Sequence, residues 1–386
     1  WLAGLEPRWA MAAPSCFVTT FRRNLENELP ADTEQCPPGA IARHLDHADF
    51  LAALAPKPVI VLAKERDYFD ARGAEEAHTR LRHLYGLLGR AEEAELFTGP
   101  TGHGYSQENR LAMYRWFNRA AGLPAVAAEP PTAPEKDADL WCTPAGQVAA
   151  LGAKTVWAFT AEKSKAIAAT RPKLDGEKLK AAIAEVLKLP PREGAPEYRI
   201  LRPVGGRKFP KPHFTSYAVD TEPGAVAVVY RLSDEAHYSR PPKTDAPAVL
   251  YVSHHSADAE LRDEAWLAEL FRGEPAATWY AVDVRGVGES RPGTAGPPSQ
   301  VHAPYGSDYF YAVHGLMLDR PYPGQKTHDL LRVLDLLAAV GHREVHLVAK
   351  GWGAIPATFA AVLHDRVARV TLRNALTAYR DVAESE

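Results

Sequence analysis

Pro58-Val-Ile-Val-Leu-Ala-Lys-Glu-Arg-Asp-Tyr-Phe-Asp70 opens with an unbroken apolar run behind a proline and ends in a charged turn. Such a run, bounded by turn residues, reads as a strand buried on both faces, the pattern of parallel sheets. Working outward, helical spacing follows over 74–88 and stops at Gly89, placed as a C-terminal cap. Residues 94–98 form the next strand, which leads into Gly99-Pro-Thr-Gly-His-Gly104, and 109–121 has the spacing of an amphipathic helix. Strand, helix, strand, helix with buried strands predicts an α/β fold with a mostly parallel sheet flanked by helices.

Residues 124–138 hold four prolines and no aromatic residue, the composition of an extended, partly stiff linker. Helical periodicity resumes over 160–170 and 175–187, and a proline-rich passage runs on to about 215. A second αβ series then has strands at 225–232, 248–253, 278–282, 345–349 and 367–372, with a helix over 326–339. The expected organisation is therefore four segments: 1–123, a linker 124–138, a helical lead-in 139–214, and a second α/β unit 215–386.

Catalytic groups in open α/β sheets sit just beyond the carboxyl ends of strands. Asp67 follows the first strand and His103 the second, flanked by glycines that permit a tight loop. One helix and one strand separate them, so both loops open on one sheet edge. An Asp that orients a His acting as general base is the back half of a Ser-His-Asp relay. Asp is also common in turns, and a His beside glycines can be a plain loop residue. No G-x-S-x-G elbow precedes Asp67.

Several stretches carry a resemblance: Trp1-Leu-Ala-Gly-Leu-Glu-Pro-Arg-Trp-Ala-Met-Ala-Ala-Pro-Ser-Cys16, Asp46-His-Ala-Asp-Phe50, Ala55-Pro-Lys-Pro-Val59, Arg66-Asp-Tyr-Phe-Asp70 and Gly99-Pro-Thr-Gly-His-Gly-Tyr105. Together they are similar to the C-terminal half of acetylxylan-esterase-like α/β-hydrolases, carbohydrate esterases related to the prolyl-oligopeptidase type. The resemblance implies that Asp67 and His103 are the acid and base, that the nucleophilic serine lies upstream of Trp1, and that the substrate is an acetylated polysaccharide or another ester. It makes Ser15 and Cys16 wall residues of the pocket, and Asp46-His47 a structural turn. Family members are often exported, which makes a periplasmic or secreted protein the expectation. Without its nucleophile a triad enzyme loses on the order of a millionfold in kcat, so the chain as it stands should be nearly inert. A peptidase-like or general esterase of the same fold, and a non-catalytic binding scaffold, are the alternatives.

The second αβ series holds a companion pattern. Asp283-Val-Arg-Gly-Val-Gly-Glu-Ser290 is similar to the D-x-R-G-x-G-x-S loop of α/β-hydrolases, in which an Asp–Arg pair would tie the loop down. Ser253-His-His-Ser-Ala-Asp258 stands where such folds carry oxyanion-hole backbone. Val345-His-Leu-Val-Ala-Lys-Gly-Trp-Gly353 has the strand-and-turn form of a nucleophile elbow, aligned so that Gly351 stands where the serine belongs. Residues 215–386 are thus expected to be the front of a degenerate hydrolase unit, with its acid and base strands beyond Glu386.

Composition narrows the partners. With 45 Lys+Arg against 48 Asp+Glu, the net charge of −3 lacks the cationic concentration that nucleic-acid binding needs. No apolar run reaches the roughly 18–20 residues of a membrane span. Three cysteines, Cys16, Cys36 and Cys142, make no scaffold and no zinc spacing, although a Cys16–Cys36 bridge stays open. His44 and His47 with Asp49 share a helix face but fit a structural turn, so no metal is expected there. No G-x-G-x-x-G follows a strand and no P-loop is present, so no cofactor is expected. His302, His314 and His328 near Tyr305, Tyr309 and Tyr311, and the lysines over 163–180, read as ordinary surface or packing residues.

Overall fold

In the computed structural model, which describes residues 1–27, 32–202, 205–292 and 308–385, the apolar run after Pro58 forms strand β1 (Val59–Arg66). Parallel to it lies β2 (Ala94–Gly102), and on its other edge Ala12 and Ser15 make isolated parallel bridges to Val59 and Leu62. Period-two alternation splits β1 between two cores. Val59, Val61 and Ala63 pack with Ala74, Ala77, Leu81 and Tyr85 of helix Ala71–Leu87. Ile60 and Leu62 pack with Ala112 and Trp116 of helix Gln107–Ala121. Helices on both faces explain why the strand carries no polar alternation.

These elements belong to the first of two compact units, made of Trp1–Leu140 and Ala312–Asp319. Its last segment, 124–136, has no regular structure, and Glu129 within it is tied to Arg110 at 2.6 Å.

The second unit contains a seven-stranded sheet of β3 (Tyr198–Leu201), β4 (His213–Glu222), β5 (Ala225–Ser233), β6 (Ala248–Val252), β7 (Thr278–Asp283), β8 (Val345–Lys350) and β9 (Val367–Arg373). Their spatial order is β3-β4-β5-β7-β6-β8-β9. Helices Ala257–Asp263 and Ala265–Gly273 cover one face, while Tyr322–Val340 and Ala354–Leu363 cover the other.

The expectation of a mostly parallel sheet needs correction here. The pairs β3–β4, β4–β5 and β5–β7 are antiparallel, and only β7–β6, β6–β8 and β8–β9 are parallel, so the sheet is mixed. The cause is local: β4 and β5 are joined by a tight turn at Pro223-Gly224, with Gly224 at φ +80°, and a hairpin can only pair antiparallel. β3 and the start of β4 fall in the 139–214 segment expected to be helical, whose longer helices are Val156–Thr170 and Gly176–Val186. Among the described residues no helix is long and apolar enough to cross a membrane.

Candidate active site

Both loops expected to carry chemistry open at the carboxyl ends of β1 and β2, and the structure brings their residues together. His103 Nδ1 lies 3.0 Å from Asp67 Oδ1 and 3.2 Å from Oδ2. The Asp67 side chain is 1% exposed and that of His103 43%. A carboxylate only accepts, so Nδ1 is the donor in this contact. An acid sealed from water behind a base that reaches solvent is the order a general-base relay needs.

The second turn is fixed by contacts the sequence did not reveal. Lys64 is buried at 1% exposure, and its Nζ donates to Thr101 Oγ1 (2.8 Å) and Ser106 Oγ (2.5 Å), on either side of His103. Arg66 Nε donates to the Pro100 carbonyl at 3.0 Å. The signal for Lys64 was a cation directly after a run of five buried apolar residues, a place where an unpartnered ammonium is costly. Tyr68 stacks on the His103 ring at 4.4 Å and 26° and is itself exposed, as is Tyr105, whereas Phe69 is buried packing.

Cys16, a pocket-wall residue by the resemblance, stands against this pair. It adopts φ +63° directly after the Ser15 bridge, and its thiol donates to the Gly104 carbonyl at 3.1 Å. Single donor atoms of Cys16, Asp67 and His103 lie within 4.8 Å of one another. All three cysteines are free thiols, so the open Cys16–Cys36 bridge does not form. The alternative cluster around His44 is not assembled. His47 Nδ1 accepts the Thr19 amide proton at 3.1 Å, Asp46 and Asp49 form the capping box of helix His47–Ala52, and His44 is exposed.

In the second unit Gly351 sits in the left-handed region, φ +52°, at the sharp turn after β8. A Cβ there would meet His254 Nδ1 at 2.5 Å, so the imidazole occupies the space a serine side chain would need. His254 Nδ1 also accepts the Trp352 N–H at 3.1 Å, the donor that in an elbow faces an oxyanion. The amides of His254, His255 and Ser256, in the stretch expected to offer oxyanion donors, all donate to the Glu260 carboxylate at 2.9, 2.7 and 3.1 Å. Those donors are spent within the protein.

The expected Asp283–Arg285 pair does not form. Asp283 accepts from Ser253 Oγ and the Ala257 and Glu289 amides, and burial pushes its carboxyl up to about 6. Arg285 instead pairs with Asp329 (2.5 Å) and Glu222 (3.0 Å). The two residues fix the loop separately because the turn at Gly286 and Gly288, φ +75° and +50°, lets them reach different partners.

His328 is buried and donates from Nε2 to the Thr221 carbonyl at 3.2 Å, a packing role, and His314 lies on helix Asp308–Met317. His302 and Tyr305 fall outside the described residues. Lys180, in the lysine-bearing stretch, pairs with Glu177 and Asp365, both at 3.1 Å.

No family model matches the chain, and no curated protein does. Among solved structures, an acetyl xylan esterase from Paenibacillus sp. R4 is similar over 52% of this chain and 59% of its own, at 14% identity and a TM-score of 0.32. An alpha/beta hydrolase fold protein of unknown function is similar over 45% of each chain, at 18% identity and a TM-score of 0.26. The chain thus spans about half the length of these structures.

Proposed function

We propose that the first unit carries the acid and base of a serine-hydrolase-type carboxylic ester hydrolysis. The observation behind this reading is the buried Asp67 carboxylate on Nδ1 of a half-exposed His103. A serine supplied from outside residues 1–386 attacks the ester carbonyl, and its proton passes to His103 Nε2. The imidazolium is stabilised by Asp67 and then protonates the leaving alcohol; water repeats the cycle to release the acid.

Acetylated xylan or a related polysaccharide is the proposed substrate class, drawn from the sequence resemblance. The exposed ring of Tyr68, flat against His103, suits stacking on a sugar face. For the second unit we propose a non-catalytic hydrolase-like role, because His254 fills the space at Gly351 and Glu260 holds the neighbouring amides.

The test is hydrolysis of p-nitrophenyl acetate, acetylated xylan and a peptidyl ester, comparing this chain with a form extended upstream of Trp1. Deacetylation by the extended form only, lost on His103→Ala, supports the reading. Preference for the peptidyl substrate moves it to the peptidase-like class, and activity untouched by His103→Ala contradicts it.

A further inference from the structure

Cys16 suggests itself as a replacement nucleophile, since it precedes Asp67 and His103 in the chain and has a positive φ. The distances argue otherwise. In a relay the acid and the nucleophile engage opposite ring nitrogens, which holds them at least about 6 Å apart, two hydrogen bonds of about 3 Å with the ring between. Here Sγ is within 4.8 Å of both an Asp67 oxygen and a His103 nitrogen, so the thiol lies off the relay axis.

A compact S, N, O triad is instead the donor set of a borderline-soft divalent cation. We propose that Cys16, Asp67 and His103 form a Zn²⁺-class site with three protein ligands and one open position. Metal bonds of about 2.0–2.3 Å set tetrahedral donor separations of about 3.3–3.8 Å, so the Asp67–His103 contact at 3.0 Å opens slightly and the thiol, within 4.8 Å of both, closes by up to about 1 Å. His103 is half-exposed, and beside it Gly104, φ +129°, has open space around its Cα, so the ring can make that adjustment. The donors come from three separate segments fixed on the β1–β2 sheet, namely the turn after the Ser15 bridge, the end of β1 and the end of β2.

Charge also balances: a thiolate and a carboxylate offset the dication, and the imidazole binds neutral. As the S–metal bond forms, the S–H bond breaks, its proton goes to water, and the hydrogen bond to the Gly104 carbonyl is given up; the proton that Nδ1 holds against Asp67 passes through water to Nε2, which frees Nδ1 to ligate and leaves one proton released per ion. Cys36 is buried elsewhere and Cys142 belongs to the second unit, so neither completes the site.

Titration of this chain with Co²⁺, then displacement by Zn²⁺, tests the proposal without turnover, so it stands or falls separately from the hydrolase reading; an ion there takes the two groups the relay uses, so the metal-loaded form is an inhibited one. Expected are one equivalent of tight binding, a thiolate-to-cobalt charge-transfer band, and release of a proton per ion. Cys16→Ala abolishes the band and weakens Zn²⁺ binding by roughly 100-fold or more, since even outer-shell losses reach that range. His103→Ala and Asp67→Asn weaken binding while leaving the cysteine in place, and Cys36→Ser and Cys142→Ser change nothing. Cys16→Ser, nearly isosteric, serves as the second variant if Cys16→Ala unfolds, with the circular-dichroism melt as the check. A wild-type chain without the charge-transfer band, or a band that survives in both Cys16 variants, overturns the proposal.

Discussion

His47 sits between Phe21 and Phe17, with ring centroids 4.5 and 6.0 Å away, and spends its Nδ1 on the Thr19 amide. Burial drives its pKa down from 6.5 to about 4. The unfolded chain therefore binds the proton more readily, so the stability that neutral His47 contributes is present above pH 6.5 and is lost as pH falls towards 4. That difference amounts to about 3 kcal/mol. Urea denaturation between pH 7 and 4 should show this loss in the wild type and a flatter profile in His47→Asn, which keeps an acceptor near Nδ1 and removes the titration.

Gly351 yields a second prediction at this scale. A side chain there meets both the left-handed backbone and the His254 ring. Gly351→Ser should cost about 2–4 kcal/mol, strain and overpacking together, and confer no esterase activity. Adding His254→Ala should restore part of the stability, because the two residues share one space. The sharp turn at Gly351 was legible from the strand-and-turn pattern alone. The ring that fills it was not, since His254 lies 97 residues upstream and nothing in a linear pattern says that two loops will meet.

At the scale of elements, periodicity read well wherever a segment had one dominant environment. β1 was legible because both its faces are apolar, and helix Ala71–Leu87 because one face packs on β1. β4 was missed although its residues alternate between the two cores, Tyr217 and Val219 to one and Phe214 to the other. Pro203, Pro210 and Pro212 just upstream argued for irregular chain, while the hairpin signal, Pro223-Gly224, came only after the strand. That omission also produced the expectation of a mostly parallel sheet, since the missed strands are the antiparallel ones.

Trp116 tests the packing of its helix directly. It is 1% exposed against Ile60 and Leu62, with Arg119 over its ring at 4.1 Å. Trp116→Ala should lower the stability of the first unit by about 3–5 kcal/mol in chemical denaturation, and Trp116→Phe by clearly less, because the aromatic volume is kept.

The whole molecule consists of two units, each with its own sheet and its own buried clusters. Asp67 and His103 were legible because loops that follow neighbouring parallel strands emerge on one edge, so spacing alone brought them near each other. Cys16 was placed at the pocket wall by the resemblance alone, because the two isolated bridges that carry it to the same edge, Ala12 to Val59 and Ser15 to Leu62, are too short to leave a periodic trace.

The central claim is that Asp67 and His103 act as an orienting acid and a general base, and one assay bears on it most directly. Ester hydrolysis would be followed in the form extended upstream of Trp1, with Asp67→Asn, His103→Ala and Gly351→Ala compared side by side. Asp67→Asn should leave the fold intact yet lower kcat by about 10⁴-fold, because the amide favours the wrong imidazole tautomer. His103→Ala should lose at least as much, and Gly351→Ala should leave kcat unchanged. Full activity in Asp67→Asn or His103→Ala, or activity that depends on Gly351 instead, would contradict the account.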